Sequence, residues 1–147
     1  MKFLLRLLHR FRSTSNLAPL HDNILGELCW DAEMEGWSGS ILGPDGPAQI
    51  LIVSGSPREY PAKDLLETLS TPCSRFDEFT ETAREFVRAQ LAVNDQKDLA
   101  DELAAQSLEI YAQNPQTYLI SFVHDDTESV WSVHFENHRP VRYEVDA

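Results

Sequence analysis

Between Ile24 and Ile41, ILGELCWDAEMEGWSGSI, apolar and polar residues alternate, and the alternation reverses at Glu35-Gly36. Period-two alternation puts every second side chain on one face of a strand, so a reversal at a turn dipeptide makes the stretch a β-hairpin. With Met34 facing Trp37 across a two-residue turn, Ala32 faces Gly39 and Trp30 faces Ile41. Leu28, Trp30, Ala32, Met34, Trp37 and Ile41 then share one face, and the rest of the chain has to cover it.

The segments that follow supply the cover. Gly43-Pro44-Asp45-Gly46 is a turn, and with Leu42 paired to Pro47 it feeds a strand at 48–54 whose faces are both apolar, as in an interior strand flanked by helices. Leu65, Leu66 and Leu69 mark a short helix over 62–70, stopped by Thr71-Pro72. Ser74 and Asp77 cap a second helix to about Ala92, with Phe76, Phe79, Ala83, Phe86, Val87 and Leu91 on one stripe. A third helix runs from Asn94 or Asp95 to Ala112, with Leu99, Leu103 and Ile110 inward and Asp98, Asp101, Glu102 and Glu109 on an acidic outer face. Three closing strands pair Leu119 with Phe135, Val123 with Trp131, and Val133 with Tyr143. That register leaves Tyr118, Ile120 and Phe122 on the second face beside Ser132 and His134. The expected fold is α+β: a mostly antiparallel sheet of about six strands, three N-terminal and three C-terminal, with three central helices packed on one face.

Residues 1–12, MKFLLRLLHRFR, form a basic amphipathic helix on a helical wheel. Phe3, Leu4, Leu7, Leu8 and Phe11 fall within an arc of roughly 140° and Lys2, Arg6, His9, Arg10 and Arg12 lie opposite. Such a helix is ordered only against a surface, which makes Phe3, Leu4, Arg6, Leu7, Arg10 and Phe11 candidates for docking on a membrane, on a partner or on the chain's own domain. Residues 13–19 read as a linker and 20–147 as a single α+β domain.

Charge narrows the functional classes. The 147 residues carry a net charge of −12. Four of the 12 basic residues lie in the first twelve positions, so the remainder holds 8 against 24 acidic ones. A body of that sign repels phosphate backbones and attracts basic proteins, so no nucleic-acid partner is expected and a basic protein partner is. No apolar run reaches the ~20 residues of a membrane span. Cys29 and Cys73 form no metal-binding or disulfide pattern, as in a cytoplasmic protein. His124, His134 and His138 are spaced as strand residues and read as structural, and the acidic tip Asp125, Asp126 and Glu128 lacks the ligand spacing and central glycine of a calcium loop. No catalytic, cofactor or metal residues are assigned, since the chain has no GxSxG elbow, Walker lysine or GxGxxG.

The opening LGELCWDAEMEGWSGSI and the ending VWSVHFENHRPVRYEV resemble a group of uncharacterised bacterial domain-of-unknown-function proteins. These combine an N-terminal Trp hairpin with a terminal W-x-V-x-F-x-N-x-x-P hairpin. The resemblance covers 24–147 and implies an immunity or accessory protein. The expected function is a non-catalytic acidic protein-binding domain that neutralises a basic partner. It would use Asp98, Asp101, Glu102, Asp125, Asp126 and Glu128 for charge and Tyr118 and Phe122 for contact. The alternatives are a peripheral membrane protein docking through residues 1–12 and a small enzyme of unknown reaction.

Overall fold

The computed structural model describes residues 17–54 and 60–146. Its centre is one eight-stranded sheet in sequential order: β1 (Leu20–Asp22), β2 (Gly26–Asp31), β3 (Gly36–Gly43), β4 (Gly46–Val53), β5 (Leu103–Tyr111), β6 (Thr117–His124), β7 (Ser129–Glu136) and β8 (Arg139–Asp146). All neighbours are antiparallel except β4 and β5, which are parallel. A parallel pair needs a crossover. Here it is α1 (Lys63–Ser74) and α2 (Phe76–Leu91), followed by two 3-10 turns, Ala92–Asn94 and Lys97–Glu102.

The expected six strands and three central helices are therefore corrected to eight strands and, among the described residues, two α-helices. The third helix is the larger error: its second half is β5. An extra residue, Gln106, bulges between Ala105 and Ser107 and shifts the register there. The core residues of β5 are consequently Leu103, Ala105, Leu108 and Ile110. Their spacing of two, three and two imitates helical periodicity, while pairing with β4 and β6 overrides the helix propensity of the Ala, Leu and Glu in the segment. Pro72 is another correction, since it lies inside α1 and does not end it.

The first hairpin forms in a different register from the expected one. Asp31 Oδ1 accepts from the N–H of Glu33 (3.0 Å) and Met34 (3.3 Å), and Glu35 takes a left-handed φ of 53°. This side-chain-closed turn spends four residues, so Trp30 pairs with Trp37 where Ile41 was expected, and Ala32 and Met34 leave the strand. The two rings meet edge-on at 5.8 Å. Gly36 is required beside them, because a Cβ there would come within 2.4 Å of the Ile52 carbonyl oxygen. Leu42 does pair with Pro47.

The helices cover one face of the sheet. Phe79 of α2 packs on Phe135 (5.8 Å) and Tyr118 (6.3 Å), and the Arg84 guanidinium lies over Phe122 at 5.7 Å. Trp37, Ile50, Ile52, Leu108, Ile110, Ile120 and Val133 join them in a single core with Leu65, Leu69, Phe76, Ala83 and Val87. Arg84 also ties three elements together. It bonds Asp45 (2.8 Å) in the β3–β4 turn and the Leu103 carbonyl (3.0 Å), while Asp45 accepts from the N–H of Ala105 (2.9 Å).

The closing strands correct the expected register by one residue. The β6–β7 turn spends four residues, with Glu128 at φ 54°, so His124 pairs with Ser129, Phe122 with Trp131, Ile120 with Val133 and Tyr118 with Phe135. A slip of one residue exchanges the faces of a strand. Tyr118 and Phe122, expected as exposed contact residues, are core residues at 1% and 0% exposure. The β7–β8 turn at Asn137-His138, both with positive φ, keeps Val133 opposite Tyr143 and Trp131 opposite Val145.

Candidate functional site

The same alternation that buries Phe122 and Ile120 turns Leu119 and Ser121 to the face away from the described helices. Two rungs cross that face. One runs Gln49, Ser107, Ser121, Ser132, Glu144, and the next runs Leu51, Glu109, Leu119, His134, with Arg142 at the edge. Three serines in a row are small, so the first rung is a trough across the strands. The resulting groove has a volume of about 480 Å³, and Val130, Asp146 and Tyr111 also line it.

Glu109 is the charged centre of this groove. Its Oε2 accepts from the hydroxyls of Ser107 and Ser121, both at 2.9 Å. Since Ser121 has one proton and spends it on Glu109, the 3.2 Å contact between Ser121 and Ser132 is a donation from Ser132. The serine row thus points its hydroxyl dipoles at one carboxylate. Arg142 and Glu144 form an ion pair at the β8 edge. His134 lies beside it with its Nε2 3.7 Å from Glu144, beyond hydrogen-bond reach. Burial, reinforced by the Arg142 charge, holds the His134 imidazole below its ordinary pKa. It is therefore neutral at pH 7. His134 Nε2 and Gln106 Oε1, two buried polar atoms lining the groove, have no hydrogen-bond partner within the protein.

The serine hydroxyls are committed to Glu109, and no hydroxyl reaches His134 Nε2, so the groove contains no activated nucleophile among the described residues. Elsewhere, burial pushes the Cys73 thiol up to about 11 and raises the Cys29 thiol, which favours the protonated form of both. Burial also raises the Tyr118 phenol, whose oxygen is 2.9 Å from His138 Nδ1.

The acidic candidates divide. Asp98 is exposed on the 3-10 turn before β5, and Asp101 beside it pairs with Arg88 at 2.5 Å. Asp125, Asp126 and Glu128 are exposed in the β6–β7 turn. Because Leu103 pairs with His124, the two acidic stretches meet at one end of the sheet, and Glu102 contacts His124 at 2.6 Å. Tyr118 and Phe122 contribute nothing to that surface. Phe3, Leu4, Arg6, Leu7, Arg10 and Phe11 lie outside the described residues, and so do the helix and docking role read for 1–12. Sequence reasoning missed the groove itself. The expected register puts Ser132 and His134 on this face but Ser121 on the other, and Ser107 and Glu109 fall within the expected third helix. No described helix is long and apolar enough to cross a membrane.

Compared with protein-family models, with curated proteins and with solved structures, the chain matches none.

Proposed function

We propose that the chain is a non-catalytic acidic binding domain whose groove on the second sheet face takes a cationic segment of a partner protein. The observation that carries this reading is Glu109, a carboxylate held in position by two serine hydroxyls at the centre of the groove. A carboxylate already oriented by dipoles loses little freedom on meeting a lysine or arginine head group, and Leu51 and Leu119 flank it for the aliphatic stem. Asp146 extends the negative potential along the groove. His134 Nε2 and Gln106 Oε1 add a donor or acceptor for the partner's main chain. In the form implied by the sequence resemblance, the partner is a basic toxin or effector and the domain is its immunity or accessory protein.

Calorimetric titration of the full chain with an arginine-rich peptide, in low salt, tests the reading. Binding is expected to weaken at least tenfold in Glu109→Gln, a loss of about 1.4 kcal/mol, and to fade as salt is raised. Binding of equal strength to an acidic peptide of the same length, or no effect of Glu109→Gln, overturns it.

A further inference from the structure

At the end of the sheet remote from the Trp hairpin turn, three side chains outside the groove converge. A ring nitrogen of the buried His124 and one carboxylate oxygen each from Glu102 and Asp126 lie within 4.8 Å of one another. Each comes from a different local structure: Glu102 closes the last 3-10 turn, His124 ends β6, and Asp126 sits in the following turn. The pairing of Leu103 with His124 brings them together.

The imidazole is held from behind by a chain of hydroxyls. Trp131 Nε1 donates to Ser129 Oγ (3.0 Å), Ser129 is 2.7 Å from Thr127 Oγ1, and Thr127 is 2.8 Å from His124 Nδ1. On its other side His124 Nε2 is 2.6 Å from Glu102 Oε2. The directions in this chain are fixed by its ends. The indole can only donate and a carboxylate can only accept, so in the neutral ring Nε2 carries the proton and Nδ1 accepts from Thr127, which in turn accepts from Ser129. The ring is thereby locked with Nε2 on the exposed Glu102 carboxylate, and Asp126 brings a second exposed carboxylate into the same cluster.

We propose that Glu102, His124 and Asp126 bind a divalent transition-metal ion of the zinc class, with His124 Nε2 as the nitrogen ligand. One imidazole with two carboxylates is a nitrogen-and-oxygen set that suits zinc better than calcium, which seeks six to eight oxygens. Two donors on one zinc ion at ~2.1 Å stand roughly 3.4 Å apart, so small rotations of the exposed Glu102 and Asp126 side chains complete the set. The two carboxylates neutralise the ion's charge, and the remaining coordination position is open to water.

The proton balance is internal. The ion replaces the Nε2 proton, which moves to Nδ1, so the ring stays neutral. Thr127 Oγ1 then accepts from Nδ1 as well as from Ser129, and its own proton turns to solvent, which the exposed Thr127 reaches, while Ser129 Oγ still holds the Trp131 indole. Such a partner on the far nitrogen is what metal-bound histidines use to fix their orientation. No oxidant or further co-reactant is needed.

The test is a zinc titration of the full-length chain in a non-coordinating buffer, read by calorimetry and by long-range 15N–1H spectra of His124. The site predicts one ion per chain with micromolar affinity, weakened at least tenfold in Asp126→Asn and lost in His124→Gln. It also predicts that His124 exchanges its Nε2–H tautomer for the Nδ1–H tautomer when zinc is added. Binding must persist in Cys29→Ser, since a thiol is the competing ligand. Asp126 is exposed, so its substitution leaves the fold intact even if His124→Gln unfolds the chain. Absence of one-to-one binding, insensitivity to Asp126→Asn, or an unchanged His124 tautomer in the presence of zinc would overturn the proposal. None of these outcomes depends on the groove.

Discussion

Replacing Phe122 and Leu119 in turn separates the two registers available to β6, because each register buries one of them and presents the other. In the structure Phe122 is 0% exposed, between Trp131 on the next strand and the Arg84 guanidinium above it. A buried phenylalanine removes roughly 150–250 Å² from water, worth about 4–6 kcal/mol at ~25 cal/mol per Å², and an alanine keeps part of that. The expected cost of Phe122→Ala is therefore about 3–5 kcal/mol, the range of large-to-small core substitutions. Leu119 is only partly buried and borders the groove, so Leu119→Ala is expected to cost about 1 kcal/mol or less. Urea unfolding followed by tryptophan fluorescence reads both. With an m-value of about 2 kcal/mol/M, the Phe122 variant loses about 2 M in its midpoint and the Leu119 variant about half a molar or less. The reverse order of costs would place β6 one residue out of register and return Tyr118 and Phe122 to the second face.

Three further outcomes follow from particular contacts. Asp45→Ala removes the carboxylate shared by Arg84 and the Ala105 N–H, and should destabilise by about 2–4 kcal/mol in the same urea assay, with Glu81, 3.0 Å from the guanidinium, still holding Arg84. Gly36→Ala drives a Cβ against the Ile52 carbonyl and should cost about 1–3 kcal/mol with loss of the Trp30–Trp37 exciton signal in near-ultraviolet circular dichroism; an unchanged spectrum would mean that β3 and β4 do not cross there. Burial and Arg142 depress the His134 pKa in the folded state, so the unfolded chain binds the proton more readily. That group's contribution to stability is present above pH ~6.5 and is lost as pH falls below it. Thermal midpoints of His134→Asn should accordingly fall less between pH 7 and pH 5.5 than those of the parent chain, and parallel curves would refute the assignment.

What the sequence disclosed and withheld divides along physical lines. Local signals were legible: the Gly43–Gly46 turn set Leu42 against Pro47, the phenylalanine stripe set α2, and Asn137-His138 closed the last hairpin close to its expected place. Turns closed by a side chain were not. Asp31 and the Asp125–Glu128 turn each spend four residues, which two-residue or five-residue loops cannot anticipate, and each error propagates along a whole strand. The acidic stretches read as surface from the sequence, yet their convergence on His124 depends on β5 pairing with β6, and the spacing in that segment predicts a helix. The groove was hidden by the same error.

That error has one residue at its root. Before Gln106 the odd-numbered positions of β5, Leu103 and Ala105, face the core; after it the even-numbered positions, Leu108 and Ile110, do so. The bulge is thus the phase change that places Ser107 and Glu109 on the second face. Deleting Gln106 removes the extra residue and leaves strict alternation with the same faces: Leu103, Ala105, Leu108 and Ile110 stay inward, Ser107 and Glu109 stay outward, and the pair Ala105–Phe122 runs directly into Ser107–Ser121. The deletion is therefore expected to keep cooperative unfolding in urea within about 1 kcal/mol of the parent. Deleting Ser121 instead makes Ile120 and Phe122 neighbours in β6, so that one of them has to leave the core, and is expected to abolish cooperative unfolding. Loss of cooperative unfolding on deleting Gln106 would show that this residue is not the extra one that sets the phase of β5.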